Sequence, residues 1–282
     1  MTTIELSAGT VEYDDTGGAG PVLVLTHGVL MDGSVWREVV ADLSRDLRCI
    51  TPTLPLGAHR IPLRPDADLS VRGLAELVGE LLDRLGLVDV TLVVNDLGAP
   101  LLLAADRHPR VGALVLTPCE AFDNLPPGLP GRVAGLAGRV PGGLWLAAQS
   151  LRPPGADRLP LTFGWMSKRP VPRDLLRRWL QPVRRSAGAR RDLRRYIATA
   201  DAGTLLEATE RLRDFDRPAM VVWATEDRVM PPEHGARLAD LLAQGTLVQV
   251  DDSYTLMPLD RPDELARVIR LFAQDRAAPA VD

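Results

Sequence analysis

Short β-rich runs and helical patterns take turns along most of this 282-residue chain, and that alternation is its strongest constraint. Strands separated by helices need crossover connections, and these give a parallel sheet covered by helices. Strands are expected at Thr3–Leu6, Val11–Asp14, Val22–Thr26, Arg48–Thr51, Val90–Val94, Ala113–Leu116, Ala219–Trp223 and Leu247–Val250. The first two read as an antiparallel hairpin. Helices are expected at Ser34–Leu43, Val71–Leu85, Leu97–Arg107, Glu233–Leu242 and Arg261–Ala273. In the second, Leu74, Leu77, Val78, Leu81, Leu82 and Leu85 recur at the three-and-four spacing of one helix face.

Between Leu125 and Phe215 the alternation stops. The span is helical, punctuated by proline and rich in Trp and Arg, and it interrupts the sheet between the sixth and seventh strands. The expected division is a sheet core over 1–124 and 216–276, a helical lid over 125–215 and a flexible tail over 277–282. Lids of this kind enclose apolar pockets, and Leu144, Trp145, Phe163, Trp165 and Met166 suit that task. Lys168–Arg195 carries eleven basic and two acidic residues, a pattern expected of solvated helix faces.

Composition narrows the function classes. The 46% apolar content supports a full core, and a net charge of −4 is too small to imply a charged partner. No apolar run approaches the roughly 20 residues needed to span a bilayer. The opening MTTIELSAGT lacks a basic segment followed by an apolar one, so export is not expected. Cys49 and Cys119 sit in strand-like contexts and suggest no disulfide framework. The expectation is a cytoplasmic monomer or homodimer that takes a small apolar or aromatic substrate, with no nucleic-acid and no membrane partner. No metal-ligand cluster or dinucleotide fingerprint is visible, so neither metal nor cofactor is expected.

Three segments carry chemistry: LTHGVL (Leu25–Leu30), VVNDLGAP (Val93–Pro100) and VVWATEDRVMPPEH (Val221–His234). With the strand order and the inserted cap, they resemble the α/β-hydrolase superfamily over essentially the whole chain. The resemblance implies an α/β fold: a mostly parallel eight-stranded sheet flanked by helices, with a helical cap. VVNDLG resembles the nucleophile elbow of that fold with aspartate in place of serine, as in its haloalkane dehalogenase and epoxide hydrolase branch. There the carboxylate, Asp96 here, attacks carbon and forms an ester. The lesser, local alternative is that Asp96 caps the following helix. Val94 replaces the usual first glycine, and Gly98 and Ala99 allow close packing. His27-Gly28 resembles the entry to the oxyanion loop, which implies Val29 and Leu97 amides as donors and an orienting role for His27. Leu97 stands where dehalogenases of this fold usually carry Trp. The proline that epoxide hydrolases place two residues after the His-Gly is absent, and the lid holds one tyrosine, Tyr196, where they use two.

Asp227 matches the acid member of the triad; Glu120, after the sixth strand, is a second candidate, with Asp123 close behind. The histidine is the departure. Seven residues before Pro262, where the family carries it, stands Thr255, with Tyr254 beside it. Only His27, His59, His108 and His234 exist. The last two are expected at the surface, and His59 is the alternative base, in a loop that approaches the pocket rim. Asn95, Trp36, Trp165, Tyr196, Tyr254, Thr255 and His27 are expected around the substrate.

In the family's hydrolytic mechanism the imidazole activates the water that cleaves the ester. With Thr in its place, the expected chemistry is non-hydrolytic: Asp96 as a general base beside Asp227 or Glu120, performing an addition, cyclisation, C–C bond or lyase reaction on an apolar or aromatic carbonyl compound. The superfamily includes such members, notably in bacterial secondary metabolism. Two alternatives stand beside it. One is an epoxide, haloalkane or ester hydrolase with Asp96 as nucleophile. The other is a silent ligand-binding homologue.

Overall fold

The computed structural model describes residues 1–277. The chain runs β1 (Thr2–Leu6), β2 (Gly9–Asp15), β3 (Val22–Leu25), α1 (Arg37–Leu43), β4 (Arg48–Pro52), α2 (Val71–Arg84), β5 (Val90–Asp96), α3 (Leu101–Ala105) and β6 (Val111–Cys119). Five lid helices follow: α4 (Gly128–Arg139), α5 (Gly143–Ser150), α6 (Arg173–Arg185), α7 (Ala187–Thr199) and α8 (Ala202–Arg211). The core then resumes with β7 (Ala219–Ala224), α9 (Pro232–Leu241), β8 (Gly245–Val250), α10 (Met257–Asp260) and α11 (Pro262–Ala277). The tail expected over 277–282 lies, apart from the helix-ending Ala277, outside the described residues.

All eight strands join one sheet in the order β1-β2-β4-β3-β5-β6-β7-β8. β1, β2 and β4 pair antiparallel, and every pairing from β4 through β8 is parallel. The β5 segment VTLVVND is buried at every position, as a central strand with both faces covered must be. The chain leaves β3 for β4 on one side and returns as β5 on the other. Such a reversal opens a crevice at the carboxyl ends of the two strands, where open α/β sheets bind ligands. LTHGVL leaves β3 and Asp96 ends β5 at that crevice.

Two expected helices are shorter in the structure. Gly33–Trp36 forms a 3-10 turn, capped by the Asp32 carboxylate on the Ser34 amide, before α1 begins. α3 starts at Leu101 rather than Leu97, because the residues around Asp96 are spent on a turn. Leu97 N donates to Asn95 O at 2.8 Å, and Leu101, Leu102 and Leu103 bond back three residues to Gly98, Ala99 and Pro100. Arg107, at φ 53°, closes the segment. Conversely, β6 runs on to Cys119, past the expected Leu116. Both cysteines are free and buried, and burial pushes the Cys49 thiol up to about 12.

The basic run Lys168–Arg195 is a solvated face only in part: Arg173, Arg177, Arg185 and Arg194 are exposed, and others reach the core. Arg178 Nε donates to Asp32 Oδ2 at 2.7 Å, Arg191 to the Leu63 carbonyl at 2.5 Å, and Arg195 to the carbonyls of Pro65 and Ala67. Lys168 pairs with Glu226 and Arg169 with Asp252, each at 2.6 Å. These cations fasten the lid to loops of the core. Guanidinium groups suit this because their forked donors satisfy loop carbonyls that have no ladder partner.

Candidate active site

Asp96 sits at the C-terminal end of β5 with φ 63°, a left-handed conformation that costs an L-residue roughly 1 kcal/mol or more. The surroundings hold it there. Asn95 Nδ2 donates to Pro118 O at 3.2 Å and to Thr255 O at 2.8 Å, which ties the elbow to β6 and to the loop after β8. Glu120 N donates to Asp96 O at 2.9 Å. The Asp96 side chain folds over Gly28, where an added Cβ would lie 1.5 Å from Oδ2, so only glycine fits. The Val29 amide then hydrogen-bonds the carboxylate.

Two more buried carboxyls stand close by. Glu120 Oε2 accepts from Gly98 N at 3.0 Å, and a Cβ on Gly98 would meet Glu120 O at 2.4 Å. Asp227 Oδ1 accepts from the amides of Val229 and Met230 at 2.8 and 2.9 Å. Thr255 Oγ1 lies 2.9 and 3.0 Å from its two oxygens. Burial, then the Asp227 charge, raises Asp96 to about 7. Burial, then Asp96, raises Glu120 to about 8. Burial raises Asp227 to about 7, against the lowering effect of its three donors. The three acids therefore share charge near neutrality, and full ionisation of all three is disfavoured.

A cavity of about 340 Å³ opens above them. Asp96, Glu120 and Tyr196 supply polar atoms, and Val29, Leu125, Leu151, Phe163, Ile197 and Val229 are among the apolar walls. The Tyr196 hydroxyl is buried without a hydrogen-bond partner. Burial, then the charges of Glu120 and Asp96, raises its phenol well above the ordinary value, so it remains a donor. Among the described residues no cluster of three metal-ligating side chains converges.

Several expected positions fall elsewhere. The Leu97 amide is engaged by Asn95 O, so the paired oxyanion donors reduce to Val29, which addresses Asp96 itself. Trp36 is fully buried in the core, with Nε1 on Thr26 O at 2.9 Å, and does not face the cavity. His59 is buried off the cavity, with Nε2 3.2 Å from Asp192 Oδ2 and Nδ1 accepting from Gly57 N. It is a strut between a core loop and α7, not a base at the rim. His234 is buried rather than superficial, edge-on to Phe122 at 5.0 Å. Trp165 and Tyr254 lie outside the cavity wall, and Tyr254 is faced by Lys168 and Arg228 at 5.3 and 5.1 Å. Thr255 stands behind the wall, on Asp227. His27 accepts from Leu54 N at 2.9 Å through Nε2, so its Nδ1–H donates to Gly28 O at 2.9 Å and fixes the loop.

Besides Asp192, the partner of His59, sequence reasoning missed two further buried acids. Asp32 receives Ser34, Arg178 and Trp179; burial would raise its carboxyl, but the Ser34 and Arg178 hydrogen bonds hold it low. Asp260 accepts from Ser167 Oγ and from the amides of Lys168, Arg169 and Tyr254 at 2.7–3.0 Å. It thereby joins the lid to the loop that carries Thr255. Of the lid residues expected to enclose a pocket, Phe163 and Met166 line the cavity; the rest of its apolar wall was missed because in sequence those residues are indistinguishable from core.

The elbow, the glycine that clears it and the acids around it, on this sheet, define one class. The chain belongs to the alpha/beta hydrolase family, whose model matches residues 23–268. It is 28% identical, over 94% of this chain and 92% of the relative, to cis-3-alkyl-4-alkyloxetan-2-one decarboxylase of Xanthomonas campestris pv. campestris. It is 24% identical to haloalkane dehalogenase 2 of Mycobacterium tuberculosis, over 93% and 91% of the two chains. It is 25% identical to a pimeloyl-[acyl-carrier protein] methyl ester esterase of Aeromonas salmonicida, over 90% and 96%. In fold it is similar to a putative ancestral haloalkane dehalogenase, with TM-score 0.78, 19% identity and coverage of 99% and 100%.

Proposed function

We propose that this chain is a lyase-type member of the family that fragments an apolar, strained lactone without consuming water, with Asp96 as the attacking carboxylate. The observation that carries the reading is Thr255. Its hydroxyl occupies both oxygens of Asp227, the partner an activating imidazole would need, and no histidine lines the cavity. A reaction that needs no water needs no such base.

The oxetan-2-one that gives the first relative its name suits this logic. Asp96 Oδ attacks the saturated ring carbon bonded to the ring oxygen, and that C–O bond breaks. An aspartyl ester forms, and a free carboxylate is left on the neighbouring carbon. The carboxylate leaves as carbon dioxide. Its C–C electron pair becomes the alkene and expels Asp96 as a carboxylate, ready for another turn. No proton or water enters the balance. Glu120, raised to about 8, stays largely protonated at neutral pH and sets no charge against the departing carboxylate. The unpartnered hydroxyl of Tyr196, a residue of the cavity wall, is the donor fitted to a lactone carbonyl. The apolar walls take the alkyl arms.

The test is a cis-3,4-dialkyloxetan-2-one incubated with the protein in heavy-oxygen water. Alkene and carbon dioxide should form, with no solvent oxygen in the organic product. A labelled hydroxy acid would reject the reading in favour of hydrolysis. That second reading draws on the relatives named as dehalogenases and esterases, and it places the same ester on Asp96 before water cleaves it.

A further inference from the structure

We propose that the outer face of the lid docks on an anionic lipid bilayer and that the cavity takes its substrate from that surface. The inference goes beyond the chemistry of the site. It also departs from the absence of a membrane partner that composition suggests.

The exposed large apolar side chains of this molecule are not scattered. Leu136, Val140, Trp145, Leu146, Leu159 and Leu161, each 45–64% exposed, fall within one stretch of the lid, on α4, α5 and the segment after them. α4 and α5 pack on one another, which gathers these residues. Elsewhere the exposed ones, such as Val88, Leu247 and Leu271, are single and far apart in the chain. Single exposed leucines are ordinary on a protein surface; a gathered patch marks an interaction site. The cavity opens at this patch: Leu159, Leu161 and Arg139 belong to its wall.

Charge selects the occupant. Between Leu125 and Trp165 the chain carries four arginines, Arg132, Arg139, Arg152 and Arg158, all exposed, against one acid, Asp157. Several other lid cations are tied down, Arg178 onto Asp32, Lys168 onto Glu226, Arg169 onto Asp252 and Arg191 onto the Leu63 carbonyl, whereas these four lie beside the apolar patch in the chain. A second copy would bring these four arginines against four more, with one acid on each side to offset them. An anionic headgroup layer is complementary to them, while Trp145 and the leucines enter the acyl boundary. Among the described residues no helix is long and apolar enough to cross a membrane, so the contact is one of lying on the surface. An apolar substrate dissolves in the bilayer and reaches Asp96 without crossing water.

The experiment is flotation of the intact protein with vesicles of phosphatidylcholine alone and of an equal mixture of phosphatidylcholine and phosphatidylglycerol, without substrate. Binding is expected to the anionic vesicles and to fall steeply with salt. Trp145→Ser with Leu146→Ser should weaken it about tenfold. Arg132→Glu with Arg158→Glu should abolish the preference for anionic vesicles. None of these four residues lines the cavity, so turnover of a detergent-dispersed substrate should be unchanged, which also reports that the variants fold. Absence of vesicle binding overturns the proposal. So does an apolar double variant that binds as well as the parent, or a dimer in sizing that the double variant dissociates. Because flotation uses no substrate, it can fail while the lyase chemistry stands, and the reverse.

Discussion

The floor of the cavity and its roof treat charge in opposite ways. The floor buries three carboxyls together, with few donors, and their affinities for protons rise toward neutrality. The roof is rich in arginine, and its inner cations end on a carboxylate or a loop carbonyl of the core. The contrast recurs among the acids. Asp227, behind the wall, is held by two amides and the Thr255 hydroxyl, whereas Asp96 receives the Val29 amide and faces the cavity. A carboxylate held by three donors serves as scaffold; one with a single amide, open to the cavity, is free to meet a ligand. The molecule keeps its strain and unsatisfied charge at the floor and its fastening at the roof.

The largest effect expected is at Asp96. Asp96→Asn should lower kcat/KM about 10³-fold or more, since the amide cannot open the substrate. A variant with parental steady-state activity would move the chemistry away from the elbow. Next is Gly28→Ala. Its Cβ collides with Asp96 Oδ2, so the carboxylate must rotate away; activity should fall about 10²-fold, with a smaller change in thermal stability. Equal loss of both would make Gly28 a fold residue.

Glu120→Gln tests the floor by pH. A carboxyl raised in the folded state binds more protons there than in the unfolded chain. Its stability contribution is whole below about pH 4 and drains away as pH climbs toward its folded value, about 8. The Gln variant keeps the acceptor for Gly98 N and loses this penalty. It should therefore gain on the order of 4 kcal/mol over the parent near pH 8 and almost nothing near pH 4. Melting curves at the two pH values give the difference, and a gain independent of pH would refute the buried-acid account. The parent's activity should itself rise with pH through about 7 as Asp96 ionises. The smallest effect is at the roof. Arg178→Ala removes one of the donors to the buried Asp32 and should cost about 1–2 kcal/mol in denaturant melts. A null result would mean the lid arginines are ornaments on a lid held by packing alone.

The sheet was legible in the chain because its signals are local. Apolar runs, turn residues and crossover helices follow from backbone geometry, and all eight strands lie where such runs stand. Asp96 was legible for the same reason, since a strand, a tight turn and a helix in eight residues leave the side chain little choice of place. α3 was misjudged because apolar periodicity does not reveal that Leu97 gives its amide to Asn95. Trp36 and His59 were misplaced because a buried donor satisfied across the fold has the same local signature as a pocket residue.

What the sequence determined alone is the sheet, the break that makes the lid, the aspartate at the elbow and the threonine seven residues before Pro262. What the tertiary structure decided is the company these keep. It set Thr255 on Asp227, brought Glu120 against Gly98, closed Gly28 under Asp96, and tied Lys168, Arg169, Arg178, Arg191 and Arg195 to core loops while leaving the arginines of 125–165 and an apolar patch outside. The physical reason is that proton affinity and exposure depend on distances between residues far apart in the chain, and those distances exist only once the strands have paired.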